Sequence, residues 1–155
     1  MLKAAIIGLG NAGFLYDNKK TDEILTHFKA YKNLKNIDIE CVCDSNDNKY
    51  KYFKSLHNLP IYKNYNEMFK KHKIDILSIA TNDENHATIL KDLVNYDIKY
   101  IFCEKPISHN LDNLIEIQNK YKKRNIPIYV NYFRKWDDIF IKIGETINQL
   151  NKDDF

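Results

Sequence analysis

The stretch Leu2-Lys3-Ala4-Ala5-Ile6-Ile7-Gly8-Leu9-Gly10-Asn11-Ala12-Gly13 decides how this chain folds. A short apolar run feeds directly into a G-x-G-x-x-G turn, the opening of a dinucleotide-binding βαβ unit. Each glycine has a physical task in such a unit. Gly8 permits the tight turn, Gly10 lets a pyrophosphate approach the backbone, and Gly13 lets helix and strand pack closely. The phosphates would lie at a helix N-terminus, where unpaired N–H groups and the helix dipole favour negative charge. The chain has only four glycines and three of them fall in this hexapeptide, so glycine is placed here rather than scattered.

Outward from that turn, strand-like and helix-like segments alternate to the end of the chain. Strands are predicted at Lys3–Gly8, Ile37–Cys43, Ile61–Tyr62, Ile74–Ala80, Ile98–Cys103 and Ile126–Asn131. Helices are predicted near Thr21–Leu34, Asp47–Leu56, Asn66–Lys71, Glu84–Asn95 and Leu111–Lys123. In the fourth helix Ala87, Leu90, Leu93 and Val94 share one face, and in the fifth Leu111, Leu114, Ile115 and Gln118 do. Strands separated by helices of this length imply right-handed parallel crossovers. The expected fold is therefore α/β, a doubly wound parallel sheet of six main strands flanked by helices, the Rossmann fold. Trp136, Ile139, Phe140, Ile143, Ile147 and Leu150 then recur at helical spacing and predict a last amphipathic helix.

Composition narrows the class of function. At 155 residues, with 44% hydrophobic and 29% charged residues, the chain can bury the core of one domain and reads as globular rather than disordered. A net charge of +3 is too small to imply a nucleic-acid partner, and the basic runs Lys70-Lys71-His72-Lys73 and Lys122-Lys123-Arg124 suit helix C-termini. No leader-like or membrane-spanning segment is evident, which suggests a cytoplasmic protein without a membrane partner. Cys41, Cys43 and Cys103 lie in predicted strands without metal-ligand spacing, so free thiols are expected and a metal is not.

Several strand ends carry residues suited to chemistry. Asp44 closes the second strand, where an acid accepts hydrogen bonds from the adenosine ribose and repels a 2′-phosphate. It lies further past the glycines than the usual spacing of about 20 residues, and residues 14–22 account for the excess. Ser45 and Asn46 follow with no arginine, favouring NAD over NADP. Read as structure alone, Asp44 is a strand-end acid starting a turn.

After the fourth strand comes Ala80-Thr81-Asn82-Asp83-Glu84-Asn85-His86. Thr81 or Asn82 can cap the next helix and Asp83 and Glu84 suit its first turn. Capping does not explain His86, which is either a satisfied structural histidine or a ligand-side group. After the fifth strand, Glu104-Lys105-Pro106 places two opposite charges at the same sheet edge. A lysine there can orient a substrate hydroxyl or move its proton, or it can be half of a surface ion pair.

Taken together, Gly8–Gly13, His27, Asp44, Ala80-Thr81…His86, Glu104-Lys105-Pro106 and the segment from Asn131 to Trp136 resemble the N-terminal half of the Gfo/Idh/MocA oxidoreductases. The resemblance runs from residue 1 to about residue 137. It implies an NAD-binding domain in which Lys105 stands at the nicotinamide near the reacting sugar carbon, with Glu104 on the nicotinamide ribose side. It implies too that Thr81 and His86 line the cofactor cleft and that Arg134 fills a basic position where the chain leaves for a second domain. The family more often reads Thr-Pro-Asn where this chain has Thr81-Asn82-Asp83.

The site expected on these grounds comprises Lys105 and His86 as catalytic residues. Gly8, Gly10, Asn11, Ala12, Gly13, Asp44, Ser45, Ala80, Thr81, Asn82, His86, Glu104, Lys105 and Arg134 are the expected cofactor contacts. Residues 1–135 are read as the cofactor domain and 136–155 as a terminal helix leading toward a substrate domain that this sequence does not contain. The expected function is hydride transfer between NAD(P) and a sugar, sugar nucleotide or polyol, with oligomerisation possible through such a second domain. The alternative is an NAD-binding sensor or scaffold without turnover. An S-adenosylmethionine methyltransferase shares the glycines and the strand-end acid but gains nothing from Glu104-Lys105-Pro106.

Overall fold

A computed structural model describes residues 1–18 and 22–149. Six strands form one parallel sheet: β1 (Leu2–Ile7), β2 (Ile37–Cys43), β3 (Ile61–Tyr62), β4 (Ile76–Ile79), β5 (Tyr100–Cys103) and β6 (Ile128–Val130). They lie in the order β3-β2-β1-β4-β5-β6, so the winding reverses between β1 and β4. This is the doubly wound arrangement expected from the alternation of segments. Ala4 through Ile7 are wholly or almost wholly buried because β1 is central, with β2 and β4 paired on its two sides.

Side-chain alternation splits the core into two layers. Ala5, Ile7, Cys41, Cys43, Leu77, Ile79, Ile101 and Cys103 point to one face. There they meet α3 (Tyr65–Lys71), α4 (His86–Leu93) and α5 (Leu111–Lys123) through Met68, Leu90, Leu93, Ile117 and Tyr121. Ala4, Ile6 and Val42 point the other way, onto Phe28 and Tyr31 of α1 (His27–Asn33) and Phe53 of α2 (Asp47–Leu56). Phe14 joins Phe28 and Phe53 in edge-on contacts at 4.9–5.3 Å, which close this second layer. The three cysteines are buried free thiols, each pushed up to about 12 chiefly by burial.

Three expectations need correction. The first helix was placed at Thr21–Leu34, but α1 begins at His27, where Thr26 Oγ1 accepts the Lys29 N–H and caps it; Thr21 lies outside the described residues. The fourth begins with a 3₁₀ turn, Asp83–Asn85, before α4 starts at His86. In α5 the face picked out by its spacing is the outer one. Leu111, Leu114, Ile115 and Gln118 are exposed, while Ile117 and Tyr121 enter the core and the Tyr121 hydroxyl donates to Leu90 O. Both sets recur at helical spacing, and the hydrogen bond to α4 selects between them.

The terminal helix, α6, spans Asp138–Gln149 after a 3₁₀ turn at Phe133–Trp136. Ile139, Phe140, Ile143 and Ile147 do lie along it, all exposed, and Leu150 falls outside the described residues. No described helix is long and apolar enough to cross a membrane.

Candidate functional site

Because every strand is parallel, the loops following β1 to β5 all emerge at one edge of the sheet. They enclose a cleft of about 900 Å³ at the point where the winding reverses, the place where open α/β sheets bind ligands. Of the expected contacts, Gly8, Gly10, Asn11, Ala12, Asp44, Ser45, Ala80, Thr81, Asn82, Glu104 and Lys105 line it.

The glycine turn forms the floor, and its three glycines do different work. Gly8 has φ +97°, and a Cβ there would fall 2.5 Å from the Ala80 carbonyl, so the loops after β1 and β4 touch only because it has no side chain. A Cβ on Gly13 would fall 2.0 Å from Gly8 O, so this glycine closes the turn upon itself. Gly13 does not line the cleft. A Cβ on Gly10 would meet only Lys49 Nζ, at 3.6 Å, and would otherwise project into open space. Gly10, Asn11 and Ala12 offer N–H groups with no intrachain partner among the described residues.

The turn does not run directly into a long helix. Phe14 and Leu15 N–H groups donate to Gly10 O, and a 3₁₀ turn follows. His27 and Phe28 N–H groups then donate to Ala12 O and Gly13 O at 3.0 and 3.1 Å, so α1 resumes on top of the glycine turn. The chain length between Leu15 and His27 accounts for the long spacing to Asp44.

Asp44 forms one end of the cleft. Its Oδ2 accepts the Leu9 N–H at 2.7 Å and its Oδ1 the Asn46 N–H at 2.8 Å. With 7% exposure, the carboxylate clamps the glycine turn to the end of β2. Lys49 Nζ lies 3.9 Å from Oδ2 and lines the same end, as does Lys63, which pairs with Asp47. Neither lysine was placed here by the sequence reading. The available signal was Asn46, whose side chain caps α2 and sets Lys49 in the first turn of that helix.

Glu104 and Lys105 form the other end, with a cis peptide bond between Lys105 and Pro106. The Lys105 ammonium is exposed and has no partner among the described residues. Glu104 Oε1 accepts from Asn131 Nδ2 at 2.6 Å and pairs with His27 Nε2 at 3.0 Å. Burial pushes the Glu104 carboxyl up, but the bonds from His27 and Asn131 outweigh it and hold the group below its ordinary value.

Thr81 and Asn82 line the cleft between these ends, yet neither side chain caps the following turn; the Thr81 hydroxyl donates to Asn82 O. Asp83, also lining, pairs with His109 Nε2 at 2.9 Å, and that hydrogen bond holds its carboxyl low. His86 departs from expectation. It is 1% exposed and does not line the cleft; its Nδ1 lies 2.8 Å from Pro106 O and its Nε2 3.1 Å from Thr81 O. It ties the loops after β4 and β5 together from beneath. Arg134 is not brought to the cleft either, and its guanidinium stands 5.4 Å from the Phe140 ring centre. No cluster of three or more metal-ligating side chains occurs among the described residues.

A doubly wound sheet with a glycine-floored cleft at its switch point defines a nucleotide-binding α/β domain. The chain belongs to the Gfo/Idh/MocA oxidoreductases: residues 2–132 match the model of that oxidoreductase family's NAD-binding Rossmann fold. It is 27% identical over 143 residues to the uncharacterised oxidoreductase YrbE of Bacillus subtilis strain 168, covering 92% of this chain and 38% of the relative. It is 22% identical over 150 residues to myo-inositol 2-dehydrogenase of Thermotoga maritima, covering 94% and 40%. The crystal structure of myo-inositol 2-dehydrogenase from Lactobacillus plantarum superposes with a TM-score of 0.73 at 19% identity, covering 95% of this chain and 41% of that one. The chain thus spans about two-fifths of the length of these relatives.

Proposed function

We propose that this chain is the cofactor domain of an oxidoreductase that moves a hydride between NAD and a carbinol of a sugar, sugar nucleotide or polyol. The observation that carries the reading is Gly10. A side chain there would meet only Lys49 Nζ and otherwise project into the cleft that an acid-bearing strand end and a Glu-Lys-Pro strand end also line. The residues fit the cofactor in kind: free N–H groups at Gly10, Asn11 and Ala12 suit a pyrophosphate, and Asp44 with Ser45 suits a ribose. When bound, NAD supplies the hydride acceptor or donor. Lys105, exposed and unpartnered, holds the substrate hydroxyl and its proton. His86 acts as a positioning residue that fixes the backbone on which Lys105 sits, in place of the catalytic role expected for it. The inositol dehydrogenases among the relatives support a polyol as substrate.

NAD is favoured over NADP because the buried Asp44 carboxylate opposes a 2′-phosphate, although Lys49 narrows the margin. Calorimetric titration with NADH, NADPH and S-adenosylmethionine tests the reading. NADH is expected to bind several-fold tighter than NADPH, and S-adenosylmethionine not to bind. Binding of S-adenosylmethionine alone would overturn it.

A further inference from the structure

A buried polar file runs inward from the cleft, and the role given to Lys105 does not use it. It begins at Glu104, whose Oε1 faces His27 Nε2 at 3.0 Å. His27 Nδ1 lies 3.0 Å from Ser78 Oγ, which in turn lies 2.7 Å from the Tyr31 hydroxyl. His27, Ser78 and Tyr31 are buried, and the Phe102 ring packs edge-on against the imidazole at 5.2 Å. The groups that face Glu104 are His27 from α1, Asn131 just after β6 and the neighbouring Lys105 N–H.

Donor and acceptor roles along the file are assigned from Glu104 inward. An ionised carboxylate accepts and cannot donate, so His27 Nε2 carries the ring proton. With the ring in its Nε2–H form, Nδ1 accepts and Ser78 donates to it. Ser78 Oγ is left to accept from Tyr31, whose phenol burial pushes up despite the Ser78 bond, so that it stays a donor. Every hydrogen in the file points toward Glu104.

We infer that Tyr31, Ser78 and His27 are positioning residues that hold Glu104 as an anion at the cleft wall, so that the site prefers the cationic oxidised nicotinamide to the neutral reduced one. The inference rests on the NAD reading above. NAD⁺ and NADH differ by one positive charge on the nicotinamide ring. The sheet order sets Glu104 at the opposite end of the cleft from Asp44, across the glycine turn. A fixed, largely buried anion at that end favours the cationic ring, against the Lys105 ammonium at the same end, which is exposed and screened by water.

The test combines ¹⁵N NMR of the histidine side chains with NAD⁺ and NADH affinities for the wild type, Glu104→Gln, Ser78→Ala and Tyr31→Phe. The wild-type His27 ring is expected as a single Nε2–H tautomer, and Glu104→Gln, whose amide can donate as well as accept, is expected to mix tautomers. The NAD⁺:NADH affinity ratio should fall by about fivefold in Glu104→Gln, and in the same direction by less in the other two. Tyr31→Phe keeps the buried ring, so it serves if Ser78→Ala does not fold. An Nδ1–H or doubly protonated ring in the wild type overturns the file, and an unchanged ratio in Glu104→Gln overturns the selectivity. Failure of both cofactors to bind the wild type overturns the NAD reading and the selectivity with it, while the NMR result judges the file separately.

Discussion

At the residue scale the glycine turn separates binding from folding. A side chain at Gly10 meets open cleft, whereas one at Gly13 meets the Gly8 carbonyl oxygen at 2.0 Å. Gly10→Val is therefore expected to abolish NADH binding with unchanged circular dichroism and melting temperature. Gly13→Ala should instead destabilise the fold by about 1–3 kcal/mol, the scale of forced overpacking, read by urea unfolding. Equal stability losses in the two variants would contradict this division. Lys49 gives a second test. Its ammonium beside Asp44 offsets the repulsion of a 2′-phosphate, so Lys49→Met should widen the preference for NADH over NADPH in paired titrations. Asp44 is a poorer probe, since its carboxylate also holds the Leu9 and Asn46 N–H groups.

At the scale of elements, the loops after β4 and β5 are joined by His86 beneath the cleft and by the Asp83–His109 pair at its rim. Removing the buried imidazole takes the ring N–H from one of the two carbonyl oxygens it lies between, Pro106 O and Thr81 O, and leaves a void between α4 and the Pro106 loop. His86→Ala is expected to cost about 2–4 kcal/mol and to weaken NADH binding, although the ring does not line the cleft. Asn110→Ala provides the contrast. Asn110 Oδ1 accepts the Asn113 N–H and caps α5 without lining the cleft. Its loss should cost about 1 kcal/mol and leave NADH affinity unchanged. Thermal melts with and without NADH distinguish the two variants.

For the whole molecule, the acid limb of stability follows from carboxyls held low in the folded state. Glu104 is half-enclosed and held below its ordinary value by His27 and Asn131, despite burial. A depressed native pKa contributes stability that is complete above the unfolded value, roughly pH 4.3, and is lost as pH falls through the native pKa. Melts between pH 6 and pH 3 should therefore show a smaller acid-induced drop in Glu104→Gln than in wild type. An identical drop would remove Glu104 from the acid limb. As for turnover, the described residues form only one wall around Lys105, and the ammonium is open to water. We expect the isolated chain to bind NADH but not to oxidise polyols at a measurable rate, because an unheld substrate meets the full entropic cost of orientation. Steady turnover of myo-inositol by the chain alone would count against that view.

The sequence by itself determined the parallel direction of the strands and, through it, the edge on which the site lies. Once strands alternate with helices, every strand-end residue falls on one edge, and Gly10, Asp44, Thr81, Glu104 and Lys105 need no further information to meet there. Periodicity could not choose between two apolar faces of α5, because Leu111, Leu114 and Ile115 repeat as helically as Ile117 and Tyr121. Nor could it tell that His86 lies beneath its loop, that Gly13 closes a turn, or that Arg134 stands over Phe140 instead of the cleft. Those outcomes depend on contacts between segments distant in the chain. The same is true of the file from Tyr31 to Glu104, whose members come from α1, β4 and the end of β5. Local pattern sets which edge a residue reaches, because strand direction is a property of the segment. Only the packed tertiary structure decides what each side chain touches there, because burial and hydrogen-bond partners belong to pairs of segments.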